Sequence, residues 1–130
     1  MKDQSVTMPG GKEWPVVLVV EDEPILRMCA VDIVEDAGFE ALEAADAQQA
    51  IDILEHRPDI RIVFSDIDMP GGIDGVTLAA AIRDRWPPIG IILTSGYLMP
   101  DMRILPGQAV FFSKPYMPEK IAQALYDMSF

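Results

Sequence analysis

Apolar residues fall into short runs that are separated by stretches with helical spacing, and this alternation organises the chain. The runs predict buried strands, because they are rich in β-branched, leucine and aromatic residues and end at polar residues. They lie at residues 16–20, 39–44, 60–65, 89–95 and 109–112. The second run is interrupted by Glu40 and Glu43, so we predict that it lies nearer an edge of the sheet.

Between the runs, apolar residues recur every three or four positions, as they do on the buried face of a helix. Pro24 opens the first such segment and Gly38 ends it, Asp46 and Gln49 resemble a capping box before the second, and Pro118 begins the last. The predicted inner faces are Leu26, Cys29, Ala30, Ile33 and Ala37 in the first helix, Ala47, Ala50, Ile51 and Leu54 in the second, Val76, Leu78, Ala79, Ile82 and Trp86 in the third, and Ile121, Ala122 and Leu125 in the last.

Alternating strands and helices predict an α/β fold, a parallel sheet with helices on both faces. We assign residues 16–130 to one domain and residues 1–15, which contain a glycine pair and no periodicity, to a flexible leader. Pro100 and Pro106 leave room for only about one helical turn, around residues 101–105.

The composition of the chain argues against several classes of function. The formal net charge is −11, which argues against direct binding to nucleic acid or to an anionic membrane. The chain has no bilayer-length apolar run and no signal peptide, so we expect a soluble cytoplasmic protein. The single cysteine, Cys29, is expected to pack in the core. With His56 as the only histidine, a histidine-based metal site or a Ser/His/Asp triad has little support.

Polar side chains follow four of the predicted strands. Glu21 and Asp22 follow the first, Asp66 the third, Thr94 and Ser95 close the fourth, and Lys114 follows the fifth. Asp66 could simply begin a turn. However, the carboxyl ends of parallel strands meet at one edge of a sheet, so we expect all of these residues in one cleft.

Three carboxylates in one cleft repel each other, and a hard divalent cation with oxygen ligands, most plausibly Mg²⁺, would hold them charged. Lys114 and a hydroxyl group suit the oxygens of a phosphoryl group. Asp66 is the natural nucleophile, because an aspartate can carry phosphate as an acyl phosphate, and Glu21 and Asp22 are better interpreted as metal ligands.

The chain from residue 16 to residue 128 resembles the response-regulator receiver domains of two-component signalling. The resemblance rests on Glu21-Asp22-Glu23, Asp66 through Met69-Pro70 to Asp74-Gly75, Ser95-Gly96 and Lys114-Pro115. It implies a flavodoxin-like, doubly wound sheet of five parallel strands in the order 2-1-3-4-5. The chain departs from the family in its fourth helix, which the flanking prolines predict to be shortened or irregular. It also implies that Asp66 accepts phosphate from a histidine kinase or a histidine phosphotransfer protein.

The same resemblance assigns further roles. Glu21, Asp22 and Asp66 would bind Mg²⁺ through side chains and Asp68 through its backbone carbonyl, and the peptide bond before Pro115 would be cis. Ser95 would be the switch hydroxyl rather than Thr94. Alternation along a strand sends the two to opposite faces, and a small residue, Gly96, follows Ser95.

Phe111 corresponds to the aromatic switch position of the family, although an ordinary core aromatic remains an equal interpretation of this residue. It lacks the hydroxyl of a tyrosine switch. Gly71-Gly72 adds one glycine to the usual loop.

Two other functions stay open. Asp66-Ile67-Asp68 is an Asp-x-Asp sequence, as in the aspartate-nucleophile phosphohydrolases of the haloacid-dehalogenase type. In those enzymes the acidic pair lies downstream of the nucleophile, whereas here it lies upstream. The second alternative is a binding module that works without phosphorylation. Because no output module follows the receiver, we expect a stand-alone receiver that acts through a downstream protein and has no enzymatic activity beyond self-phosphorylation from phosphodonors and slow autodephosphorylation.

Overall fold

The structure is a computed structural model that describes residues 15–69, 74–96 and 109–129. Strands and helices alternate up to residue 95, and residues 97–108, before the last strand, lie outside the described ranges. The strands are β1 (Val16–Val20), β2 (Glu40–Ala44), β3 (Ile60–Asp66), β4 (Gly90–Ser95) and β5 (Ala109–Ser113), and the helices are α1 (Pro24–Asp36), α2 (Ala47–His56), α3 (Gly75–Arg85) and α4 (Pro118–Ser129).

The five strands form one parallel sheet in the order β2-β1-β3-β4-β5, which confirms the predicted order and the edge position of β2. The register aligns the carboxyl ends of the central strands. Val20 pairs with Ser65, Asp66 with Thr94, and Ser95 with Ser113. Residues that follow these strands therefore start from one edge of the sheet.

The core has two layers, one on each face of the sheet. Side chains of β1 alternate between them: Leu18 packs with residues of α2 and α3, whereas Val17 and Val19 pack with residues of α1 and α4. These three side chains are at most 1% exposed. A strand covered on both faces must be apolar throughout, which explains the unbroken hydrophobic run at residues 16–20.

The predicted inner face of α1 was partly wrong. Ala30 and Val34 are buried, but Leu26 is 44% exposed and Cys29 is exposed. The residues of an α-helix are about 100° apart around its axis. A core face centred on Ala30 and Val34 therefore turns Cys29 toward solvent, and the prediction that Cys29 packs in the core is wrong.

The helix ends in the structure agree better with those predicted from the sequence. The side chain of Asp46 accepts a hydrogen bond from the backbone N–H of Gln49 at 2.8 Å, and Gln49 accepts one from the N–H of Ala45 at 2.8 Å, which confirms the predicted cap of α2. Gly38, after α1, has a φ of 101°, a conformation that side chains disfavour. In α4, Ile121 and Leu125 are buried as predicted, while Ala124 is more buried than Ala122.

Three predictions lie outside the described residues: the leader, the Gly71-Gly72 insertion and the short turn around residues 101–105. None of the helices in the described ranges combines the length and hydrophobicity that a membrane span requires.

Candidate functional site

Three carboxylates converge at the carboxyl edge of the sheet. Asp66 ends β3 and is 5% exposed, and Glu21, directly after β1, is 7% exposed. Asp22 follows and is partly exposed. One side-chain oxygen from each of the three lies within 4.8 Å of the other two. Strand register thus brings together acidic groups that are 45 positions apart in sequence (66 − 21).

Lys114 is the positive charge of this cluster. Its Nζ lies 3.2 Å from Oδ1 of Asp66 and 3.4 Å from Oε1 of Glu21. The backbone N–H of Lys114 donates to the carbonyl oxygen of Ser95 at 2.8 Å, which ties the residue to the end of β4. The peptide bond between Lys114 and Pro115 is cis, as predicted.

Burial and charge shift the ionisation of the cluster. Burial raises the pKa of Asp66 above its ordinary value, and the nearby Lys114 ammonium offsets this only in part. The pKa of Glu21 is raised by burial and by the Asp66 carboxylate. Burial works to lower the pKa of Lys114, but the carboxylates of Asp66 and Glu21 outweigh it and raise that pKa. The positive charge of Lys114 therefore offsets only part of the cost of burying the Asp66 and Glu21 carboxylates.

The residues fit a hard divalent cation. Oδ1 of Asp66 is buried, and its polar contact among the described residues is the ion pair with Lys114 at 3.2 Å. Such an oxygen still has lone pairs to offer a ligand. Carboxylate oxygens are the ligands that Mg²⁺ prefers in proteins. Glu21, Asp22 and Asp66 together could hold a metal ion.

The hydroxyl at the end of β4 faces the loop that follows Asp66. Oγ of Ser95 donates a hydrogen bond to Oδ2 of Asp68 at 2.6 Å, and Ser95 is 2% exposed. Thr94, the alternative switch residue, pairs with Asp66 in the sheet register and is also buried. Both hydroxyl-bearing residues therefore stand next to the acidic cluster.

Phe111 lies on β5 opposite Leu93. It is partly buried and packs against the core layer that includes Leu93. Side chains two positions apart in a strand share a face, so Ser95 and Phe111 lie on the same face of the sheet.

Two residues support the site in ways that the sequence did not predict. Arg27 donates from Nη1 to the carbonyl oxygen of Glu21 at 2.9 Å and pairs through Nε with Glu43 at 3.1 Å, so it fixes the turn after β1. Gly75 begins α3 so close to β3 that a Cβ atom there would lie 2.4 Å from the carbonyl oxygen of Asp66. The sequence offered only the Asp74-Gly75 pair as a signal for this close approach.

Comparison with known proteins decides the family. The family model described as the response regulator receiver domain matches residues 17–126. The chain belongs to this family. Receiver domains are signalling modules of two-component systems, and relatives of this receiver include a sensor kinase and a response regulator.

Two curated relatives show the kinds of protein that contain a similar domain. The receiver is 36% identical over 116 residues to the sensor kinase CckA of Brucella abortus, and 33% identical over 115 residues to the response regulator protein FleR of Pseudomonas aeruginosa. Each alignment covers 86% of this chain but only 12% of the first relative and 23% of the second. The receiver thus spans less than a quarter of the length of either relative.

Solved structures agree with the fold. The receiver domain of the hybrid histidine kinase CckA has a TM-score of 0.75 and 31% identity, with 88% of this chain and 99% of that chain covered. A response regulator receiver protein from Sinorhizobium medicae has a TM-score of 0.83 at 24% identity, with 89% and 94% covered, and supports the fold alone. These findings do not favour the haloacid-dehalogenase alternative.

Proposed function

We propose that this receiver is a phosphoacceptor in which Asp66 takes a phosphoryl group from a histidine kinase or a histidine phosphotransfer protein. The observation that carries the proposal is the convergence of Glu21, Asp22 and Asp66 within 4.8 Å, with the Lys114 ammonium 3.2 Å from Asp66. A carboxylate nucleophile flanked by metal ligands and a fixed cation is equipped for phosphoryl transfer, in which positioning and charge neutralisation are the main tasks of the protein.

Each group has one task. Glu21 and Asp22, with Asp66 and the backbone carbonyl of Asp68, would hold Mg²⁺. When bound, the ion supplies positive charge against the nucleophile and the incoming phosphoryl oxygens. An oxygen of Asp66 forms the new O–P bond while the N–P bond of the phosphohistidine donor breaks. The bonding pair returns to the imidazole nitrogen, and Lys114 stabilises the negative charge of the transferred group.

Phosphorylation of Asp66 would change the face of the sheet that Ser95 and Phe111 share. Phosphorylation adds about two negative charges to Asp66. Ser95 would donate its hydroxyl hydrogen to a phosphoryl oxygen, with Thr94 the less favoured alternative, and Phe111 would reposition along the common face. The switched surface would then bind a downstream protein. It does not require nucleic acid or a membrane, in keeping with the net charge of −11.

In this proposal residues 16–130 form the receiver, residues 1–15 are a leader, and the domain works in the cytoplasm. The phosphoryl group comes from the partner. The receiver contributes at most self-phosphorylation from small phosphodonors and slow autodephosphorylation, and is not a regular enzyme.

The test is incubation of the purified chain with phosphoramidate and Mg²⁺, followed by intact-mass measurement. We expect one added phosphoryl group that hydroxylamine removes, because hydroxylamine cleaves acyl phosphates. Asp66→Asn should abolish the adduct. Asp84→Asn, which removes an exposed aspartate of α3, is the matched control and should label like the wild type. Undiminished labelling of the Asp66→Asn protein would refute the proposal.

A further inference from the structure

The hydrogen bond between Ser95 and Asp68 joins the proposed switch to a side chain that has no role in the chemistry above. Asp68 follows Asp66 by two positions and lies at the centre of a tight turn, in which the backbone N–H of Met69 donates to the carbonyl oxygen of Ile67 at 3.1 Å. Asp68 is exposed, whereas its hydrogen-bond partner Ser95 is 2% exposed. The bond is therefore formed at the rim of the site.

A serine hydroxyl has a single hydrogen to donate, and an ionised aspartate only accepts. At 2.6 Å, the Ser95–Asp68 bond is a short, charge-assisted hydrogen bond. The hydrogen that Ser95 gives to Asp68 is the same hydrogen that it would give to a phosphoryl oxygen on Asp66. The two bonds exclude each other.

We propose that Asp68 is a positioning residue whose carboxylate holds the Ser95 hydroxyl in the unphosphorylated protein and releases it to the phosphoryl group. This inference rests on the proposed phosphoacceptor function and adds a competitor to it. The apparent affinity for a ligand falls in proportion to the fraction of molecules that can bind it. Asp68 therefore sets the threshold at which the switch responds.

The probe is beryllium fluoride in the presence of Mg²⁺, because this complex binds a carboxylate oxygen as a tetrahedral analogue of the acyl phosphate. The apparent dissociation constant is measured on the complete chain from the shift in unfolding temperature and from the backbone amide resonance of Ser95. Removing the competing acceptor with Asp68→Ala should lower the constant about tenfold, the ratio expected for the loss of one hydrogen bond to a charged group. Asp68→Asn keeps an uncharged acceptor oxygen and should lower it less.

A second cause must be separated from this one, because Asp68→Ala also removes a negative charge near an anionic ligand. In the Ser95→Ala background no hydroxyl is held, so Asp68→Ala should leave the constant unchanged. Glu23→Ala removes another exposed carboxylate, next to the acidic turn, and should not reproduce the tenfold gain.

The inference is overturned if Asp68→Ala leaves the constant unchanged in the Ser95 protein, if its gain persists in the Ser95→Ala background, or if Glu23→Ala gives the same gain. Asp68→Asn supplies the same comparison if the alanine variant fails to fold. A wild-type chain that does not respond to beryllium fluoride and Mg²⁺ at all would instead refute the phosphoacceptor function itself.

Discussion

At the scale of single residues, the acidic cluster is the costly feature of this receiver. Glu21 and Asp66 are buried, and among the described residues the Lys114 ammonium is the cation that pairs with both. Burial raises the pKa values of both carboxyl groups. A raised carboxyl pKa means that folding favours the neutral acid more than the unfolded chain does, so the charged form carries a cost in the fold. The cluster therefore lowers the stability of the fold, as is common where perturbed groups form a functional site.

Replacing Asp66 by asparagine should stabilise the metal-free protein. The variant keeps the shape of the side chain, removes one buried charge and relieves Glu21 of a repelling neighbour. We expect an increase of about 1 kcal/mol in the free energy of unfolding at neutral pH. Urea denaturation in EDTA measures it. A loss of stability would show that the Asp66–Lys114 ion pair outweighs burial.

The pH dependence of this gain follows from the sign of the shifts. The folded pKa of Asp66 lies above 3.8 and that of Glu21 above 4.5, so between these values and the folded pKa values the native protein binds more protons than the unfolded chain. Stability from these groups is therefore present at low pH and is lost as pH rises through the folded pKa values. The advantage of Asp66→Asn over wild type should grow from acidic to neutral pH. A difference that stays constant across urea denaturations at each pH contradicts this.

At the scale of secondary-structure elements, the start of α3 positions the end of β3. Asp74 caps α3 by accepting from the backbone N–H of Thr77 at 2.8 Å, and Gly75 donates its N–H to the carbonyl oxygen of Ile67 at 2.9 Å. With no side chain at Gly75, the helix can approach the backbone of Asp66 directly. The position of the proposed nucleophile thus depends on a helix terminus as well as on its own strand.

Gly75→Ala should disturb this contact. Its Cβ would lie 2.4 Å from the Asp66 carbonyl oxygen and 2.7 Å from Cα of Ile67, so the backbone must move. We expect a loss of about 2 kcal/mol in unfolding free energy, as for other overpacked sites. Gly96→Ala is the matched control, since a Cβ there meets no described atom within 4 Å. Equal unfolding midpoints for the two variants would contradict the close approach.

At the scale of the whole molecule, the parallel topology explains why the site lies where it does. Every strand has the same direction, so the segments after β1, β3, β4 and β5 emerge at one edge of the sheet. Both faces of the sheet are covered by helices, which leaves that edge as the place where buried polar groups can meet a ligand.

If the acidic cluster binds Mg²⁺ as proposed, the ion should stabilise the whole fold, because the carboxylates of the unfolded chain are dispersed and do not form the site. At a free concentration ten times the dissociation constant, the expected gain is about 1.4 kcal/mol. The gain should be lost in Asp22→Asn, which removes one proposed ligand, and kept in Asp84→Asn. Thermal unfolding over a Mg²⁺ titration measures both, and an equal gain in the Asp22 variant would exclude this site.

The sequence by itself determined the secondary-structure elements and most of the residues that meet at the candidate site. Apolar runs and helical spacing located the strands and described helices to within a residue or two, since burial on two faces or on one stripe imposes patterns that can be counted. Strand ends located Glu21, Asp22, Asp66 and Lys114, whose convergence the structure confirms. The parallel order needed only the alternation of elements and the family resemblance.

Tertiary structure decided what depends on distance between segments. Three features follow from how the elements pack, and no local pattern contains that information. They are the rotation of α1 that exposes Cys29, the close approach of Gly75 to the Asp66 backbone, and the hydrogen bond from Ser95 to Asp68. Periodicity states which residues can share a face. Only packing against the rest of the molecule chooses which face is buried and which groups come within a hydrogen bond of each other.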